Sequence, residues 1–178
     1  LRAAGHDVHV ETLAPETPFP FPWPIVEFFD AFPECVQLDA PPLRALEVAA
    51  DTTFDLVVLT YQVWYLSPAL PMTAFLKSDE GRKLISGKPI ITLVACRNMW
   101  LSAQETMKQL IASAGGRLID HLAFIDQGHP LATFITTPRW VWTGKRNSFL
   151  GLPPAGVSPE EIRQAGRFGL ALADGLNN

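Results

Sequence analysis

Apolar positions gather into a few runs separated by polar, proline-rich or glycine-rich stretches. Residues 54–60 and 89–94 are apolar almost throughout and partly β-branched, which predicts parallel strands buried on both faces. Residues 118–125 form a third strand candidate. Val8, Val10 and Leu13, with polar or smaller residues between them, predict a strand over 8–13. Helical spacing is clearest over 102–114, where Met107, Leu110, Ile111 and Ala114 share a face. Ser102 and Glu105 form a capping box there, and Gly115-Gly116 stops the helix. A last helix is predicted after Ser158, with Pro159 in first position and Glu161 completing a second box. Ile162, Ala165, Phe168 or Gly169, and Leu172 give it one apolar face. Residues 68–86 hold helical material, with Pro71 near its start and Gly87 after its end. Residues 43–50 are a short helix candidate, and 25–32 allow one or two turns ended by Pro33.

Strands alternating with helices predict an α/β fold with a parallel sheet and helices on both faces. Two stretches stand outside that pattern. Residues 15–42 carry eight of the 16 prolines, and Pro18-Phe19-Pro20-Phe21-Pro22-Trp23-Pro24 alternates proline with aromatics. Proline removes backbone donors and fixes φ, so this segment is neither a central strand nor a regular helix. Residues 126–157 read as irregular. No linker divides the 178 residues, so a single domain over 1–178 is expected, with 15–42 as a Pro/aromatic insertion. The opening Leu1 to Asp7 resembles the last turn of a helix, with Gly5 suited to the left-handed position after it. The start of that helix is not in the sequence, so an N-terminally incomplete domain is expected.

Composition narrows the function. Apolar residues make up 48% and charged residues 18%, which excludes a disordered chain. The net charge of −4 argues against a general nucleic-acid binder. The longest apolar runs are too short for a spanning helix. Cys35 and Cys96 lie far apart without a CxxC, so neither a disulfide framework nor a zinc site is expected, and a reducing, cytoplasmic setting is the plain reading. No metal pattern can be assembled.

In parallel α/β sheets ligands bind beyond the carboxyl ends of the strands, so the residues after each strand are the ones to inspect. Thr60, Tyr61, Gln62, Val63, Trp64 and Tyr65 follow the first buried strand; three aromatics in five residues can wall a flat ring or pack a helix onto the sheet. Ala95, Cys96, Arg97, Asn98, Met99 and Trp100 follow the second. Arg97 and Asn98 suit hydrogen bonding to a ligand or to local backbone. Cys96 is a nucleophile only with a base beside it; a core cysteine is the plainer reading. Asp126 and His129 suit acid–base work or a simple turn. Residues 139–146 mix three cations with two indoles; they fit a membrane surface or, the reading favoured here, tryptophans covering the core.

The run from Phe54 to Pro68, ending in Phe75-Leu76-Lys77, resembles the third-strand region of flavodoxin-like proteins and quinone reductases. Gly87-Lys88-Pro89-Ile90 through Trp100, then Gly115-Gly116, is similar to the next βαβ unit of that fold. Within the superfamily, residues 15–35, Arg97-Asn98-Met99-Trp100 and Trp142-Thr143-Gly144-Lys145 resemble proteins named dialkylresorcinol condensing enzyme. The resemblance implies a flavodoxin-like three-layer sandwich and FMN as cofactor. It also implies an oxidoreductase that oxidises or aromatises a hydrophobic or polyketide-derived ring in making aromatic lipids. Residues 60–65 and 95–100 would flank the flavin, and the aromatic segment 18–32 would form a lid for alkyl chains. A second reading is a flavin-free module that binds an acyl carrier protein or ketosynthase. Relatives hold FMN phosphate in a Ser/Thr/Gly loop after the first strand, where backbone N–H groups and a helix dipole favour anions. Nothing in residues 1–178 matches that loop. The resemblance places it, with the first strand, before Leu1, which would leave 8–13 without its neighbour.

Overall fold

The computed structural model describes residues 1–49 and 51–176. Before the sheet lie two short helices, α1 (Ile25–Asp30) and α2 (Phe32–Gln37). The sheet begins with β1 (Val57–Trp64) and a two-residue return strand, β2 (Ser67–Pro68), antiparallel to it. Helices α3 (Leu70–Lys77) and α4 (Asp79–Ile85) lead to β3 (Pro89–Cys96). Helix α5 (Leu101–Ser113) leads to β4 (Arg117–Ile125), and α6 (Pro130–Thr143) and α7 (Pro159–Leu176) follow. The fold is therefore α/β with an open, mostly parallel four-stranded sheet in the order β2-β1-β3-β4.

The core lies on one face of this sheet. Leu59 and Tyr61 of β1 and Ile90 and Val94 of β3 meet Phe75, Leu84, Met107 and Ile111 from α3, α4 and α5. Each such side chain, fully buried, contributes about 1.5–3 kcal/mol. The turn from α3 into α4 is tight enough to require glycine: a Cβ on Gly81 would sit 1.9 Å from the Phe75 carbonyl oxygen. Ser78 Oγ caps α4 by accepting from the Gly81 N–H at 3.0 Å.

Several sequence expectations need correction. Residues 8–13 join no ladder among the described residues; they lie across a groove from β1. Residues 43–49 are not helical, and Leu43 instead bridges Pro15; Ala50 lies outside the described residues. Pro33 opens α2 rather than ending α1, a position where its missing N–H costs nothing. The helical stretch 68–86 is two helices broken at Ser78. Helix α5 begins at Leu101 without a side-chain cap, so Ser102 lies inside it and the 102/105 box does not form. The largest departure is α6, fourteen residues within the stretch read as irregular. Pro130 opens it, His129 Nδ1 accepts from Leu131 N–H at 3.3 Å, and Pro138 is carried inside it. The cap before α7 does form, Ser158 Oγ accepting from Glu161 N–H at 3.1 Å.

Candidate functional site

The parallel register brings the two singled-out loops to the same end of the sheet. Gln62 lies opposite Ala95, and Ala95 opposite Phe124. The polypeptide after β1 and after β3 therefore leaves neighbouring strands side by side. Alternation along a strand then sorts the candidate side chains between the two faces.

Tyr61 faces the core. It is buried, and its hydroxyl donates to Gln104 Oε1 of α5 at 2.7 Å. Gln104 Nε2 in turn donates to Thr92 Oγ1 of β3 at 3.1 Å. Burial, reinforced by Cys96, pushes the Tyr61 phenol well above its ordinary value. Val63 pairs with Pro68 in the β1–β2 hairpin. Thr60, Gln62, Trp64 and Ala95 line a groove of about 870 Å3 that Leu59 and Tyr61 also border, with residues 7–13 on its other side. Trp64 Nε1 donates to Gln62 Oε1 at 3.3 Å, which leaves the Gln62 amide N–H groups to the open rim.

Beyond Trp64 the chain reverses through Tyr65 and Leu66, both at positive φ (50° and 63°). Two-residue hairpins favour this left-handed pair, but ordinarily with Asn or Gly. The conformation is held by packing from the Pro/aromatic segment. Tyr65 rests against Phe28 and Phe32 and donates its hydroxyl to the Phe28 carbonyl. Phe19 and Trp23 meet Trp64 edge-on at 5.0 and 5.6 Å between ring centroids. Residues 19–32 thus sheathe the outer side of the aromatic loop. Phe21, Ile25, Val26 and Phe29 remain exposed, as does much of Phe32.

The second loop divides similarly. Arg97 Nε donates to Thr133 Oγ1 at 2.8 Å, and its guanidinium stacks 3.6 Å above the Phe134 ring, both in α6. Asn98 and Met99 are exposed, and Trp100 leans on His121 with 4.9 Å between rings. Burial, with the Glu161 carboxylate adding to it, pushes the Cys96 thiol up to about 11. It stays protonated near neutral pH, in keeping with a core cysteine.

The remaining candidates serve the scaffold. Asp126 accepts from Gly128 N–H at 2.8 Å and from Gly156 N–H at 2.6 Å, while His129 caps α6; the pair is a turn. Arg139 donates to the Lys145 and Asn147 carbonyls, and Arg146 to those of Ala155 and Val157. Trp140 packs on Phe21, and Trp142 on Phe28. No cluster of metal-binding side chains exists among the described residues. None of their helices is long and apolar enough to cross a membrane.

Sequence reasoning missed the far wall of the groove. Glu11 builds it: its carboxylate accepts from the Glu47 and Val48 N–H groups, both at 3.0 Å. Burial alone would raise this carboxyl, but those bonds and His9 outweigh it and hold it below its ordinary value. Nothing in the local pattern marks a carboxylate that bonds backbone thirty-six residues away. Gln62, Trp64 and Ala95 form a rim that presents an indole and a side-chain amide. The helices nearest it open with Ala69-Leu70-Pro71 and Trp100-Leu101-Ser102. Neither is a Ser/Thr/Gly turn, so among the described residues neither of these helix starts offers the backbone cradle that a flavin phosphate would need.

No family model, no curated protein and no solved structure matches this chain.

Proposed function

We propose that the chain belongs to a flavin-dependent oxidoreductase of flavodoxin-like layout. FMN would be its cofactor, and its substrate a hydrophobic or polyketide-derived ring oxidised or aromatised in making dialkylresorcinol-type lipids. One observation carries the reading: the loops after β1 and β3 emerge together, and Thr60, Gln62, Trp64 and Ala95 of those strands line one groove. A bound flavin would supply hydride transfer. The chain's part is to orient and to exclude water. Gln62 offers amide donors at the rim, Trp64 offers an indole wall, and residues 19–32 cover the loop from outside. The exposed apolar residues of 21–32 suit alkyl chains near that rim.

The same exposed residues favour a second reading, a flavin-free module whose apolar surface docks an acyl carrier protein or ketosynthase. Adding FMN, and separately riboflavin, to the purified chain and separating free flavin by gel filtration decides between them. The flavin reading expects yellow protein, with the two flavins retained to within about threefold because no phosphate cradle discriminates between them. Protein that stays colourless with both rejects it.

A further inference from the structure

Helices α1 and α2 turn a regular apolar seam away from the molecule. Ile25, Phe29, Phe32 and Val36 are spaced by four, three and four residues, the alternation that sets side chains along one stripe of a helix. Ala31, between the two helices, keeps right-handed helical dihedrals (φ −74°, ψ −5°), and Cys35 N–H donates to its carbonyl at 3.2 Å. Phe28 and Cys35, seven residues apart, face inward: Phe28 packs on Trp23, Tyr65 and Trp142, and Cys35 is fully buried. The four seam residues, in chain order, are 57%, 57%, 49% and 52% exposed, so no element among the described residues covers the stripe. Val26, more exposed still, widens it.

The charge around the seam has one sign. Residues 15–42 contain five acids, Glu16, Glu27, Asp30, Glu34 and Asp39, and no lysine or arginine. All five are exposed, and none is in an ion pair among the described residues. Lys77 reaches the end of α2, where its amino group donates to the Leu38 carbonyl at 2.8 Å. At about 100° per residue, Asp30 follows Val26 at the border of the apolar stripe, and Glu27 and Glu34 lie beyond it. Two copies of the seam laid face to face would set five acids against five, which like-charge repulsion opposes. An anionic bilayer is opposed for the same reason.

We infer that the seam docks a basic amphipathic helix of a partner protein. The partner's apolar stripe would lie on Ile25, Phe29, Phe32 and Val36, with its lysines or arginines towards Asp30, Glu27 and Glu34. Helices recognised in this way are anchored through residues at three- and four-residue spacing, the spacing the seam itself presents. From Ile25 to Val36 the seam is roughly 17 Å long, about three helical turns. Leu66, next to the Tyr65 on which Phe32 rests, and Trp142, against Phe28, extend the apolar surface. Such docking rests on the second reading of this surface and holds with or without flavin.

The probe is a fluorescein-tagged peptide of about 18 residues, long enough to form a helix. It carries leucine at alternating three- and four-residue spacing and lysine or glutamine elsewhere. Two control peptides carry glutamate in place of lysine, or a central proline. Binding is read by anisotropy and by methyl NMR of the chain. The expected result is saturable binding of the lysine peptide, with methyl shifts at Ile25, Val26 and Val36, and at least tenfold weaker binding of both controls. Ile25→Ser/Phe29→Ser alters only exposed side chains and is expected to weaken binding at least tenfold at an unchanged thermal midpoint. Glu27→Lys/Asp30→Lys/Glu34→Lys is expected to shift the preference to the glutamate peptide. No saturable binding, equal binding of the lysine and glutamate peptides, or shifts confined to other elements overturns the proposal. Self-association of the chain, or co-sedimentation with phosphatidylcholine vesicles, that disappears in the double serine variant also overturns it, because a second copy or a lipid surface would then be the occupant. Flavin uptake is assayed on the same protein. Peptide binding by a chain that takes up FMN would end the flavin-free reading and keep this docking site; a colourless chain that leaves the peptide free would do the reverse.

Discussion

Tyr61→Phe tests how the carboxyl end of β1 is fixed to α5. The substitution keeps the ring in the core and removes one oxygen. Gln104 Oε1 then loses its donor at 2.7 Å and keeps only the Thr92 hydroxyl at 3.4 Å, a weak geometry. A buried acceptor left in that state costs about 1–3 kcal/mol. Gln104→Leu costs more, because it orphans the Tyr61 and Thr92 hydroxyls together. The double variant Tyr61→Phe/Gln104→Leu needs fewer partners, so its cost should fall below the sum of the singles by about 1 kcal/mol. Urea unfolding of the four proteins, fitted with a common slope, measures this cycle. Strict additivity, or a Tyr61→Phe cost below about 0.3 kcal/mol, would refute the reasoning.

Leu66→Gly relieves a left-handed conformation that costs a side-chain-bearing residue about 1–2 kcal/mol. After the extra unfolded-state freedom of glycine, the urea midpoint should still rise, and a fall would show that Leu66 is not strained. Gly81→Ala pushes a Cβ into the Phe75 carbonyl and should cost about 1–3 kcal/mol by thermal unfolding; a neutral result would mean that α3 and α4 separate freely. Alkaline pH should destabilise the fold. Burial and the Glu34 carboxylate lift Cys35 to about 12, burial and Glu161 lift Cys96 to about 11, and burial with Cys35 lifts Tyr65 to about 12. These groups are neutral when folded, whereas unfolded thiols ionise from about pH 8.5. Stability is thus fully present below that value and is lost as pH rises towards 11–12. A urea midpoint unchanged between pH 8 and 10.5 would contradict this.

The runs 89–94 and 118–125 fall on β3 and β4, whereas 54–60 meets β1 only over 57–60; β1 runs on to Trp64, so most of the aromatic stretch read as following the strand makes up its last residues. The pairing of the two loops was legible, because it follows from parallel strands and short crossovers. What stayed hidden depends on distant partners. Helix α6 carries Pro138 inside it and little of the usual spacing; it is held by Arg97 on Thr133 and by Trp23 N–H on the Val141 carbonyl at 2.9 Å. The capping box at Ser102 failed because Trp100 and Leu101 already continue into the helix. Segment 8–13 has the alternation of a strand but no ladder partner among the described residues, and alternation alone cannot supply one. Of the aromatic loop, the sequence could not say which ring faces which side. Two residues of separation put Tyr61 in the core, while the reversal at 65–66 turns Tyr65 under the Pro/aromatic segment.

The most direct test of a ring slot at the rim is an FMN titration read by flavin fluorescence, comparing the native chain with Ala95→Phe. Ala95 is exposed on the groove wall beside Gln62, so a phenyl ring there would occupy the slot without entering the core. The account predicts saturable quenching by the native chain and at least a tenfold weaker response from the variant. Equal quenching by both proteins would contradict it.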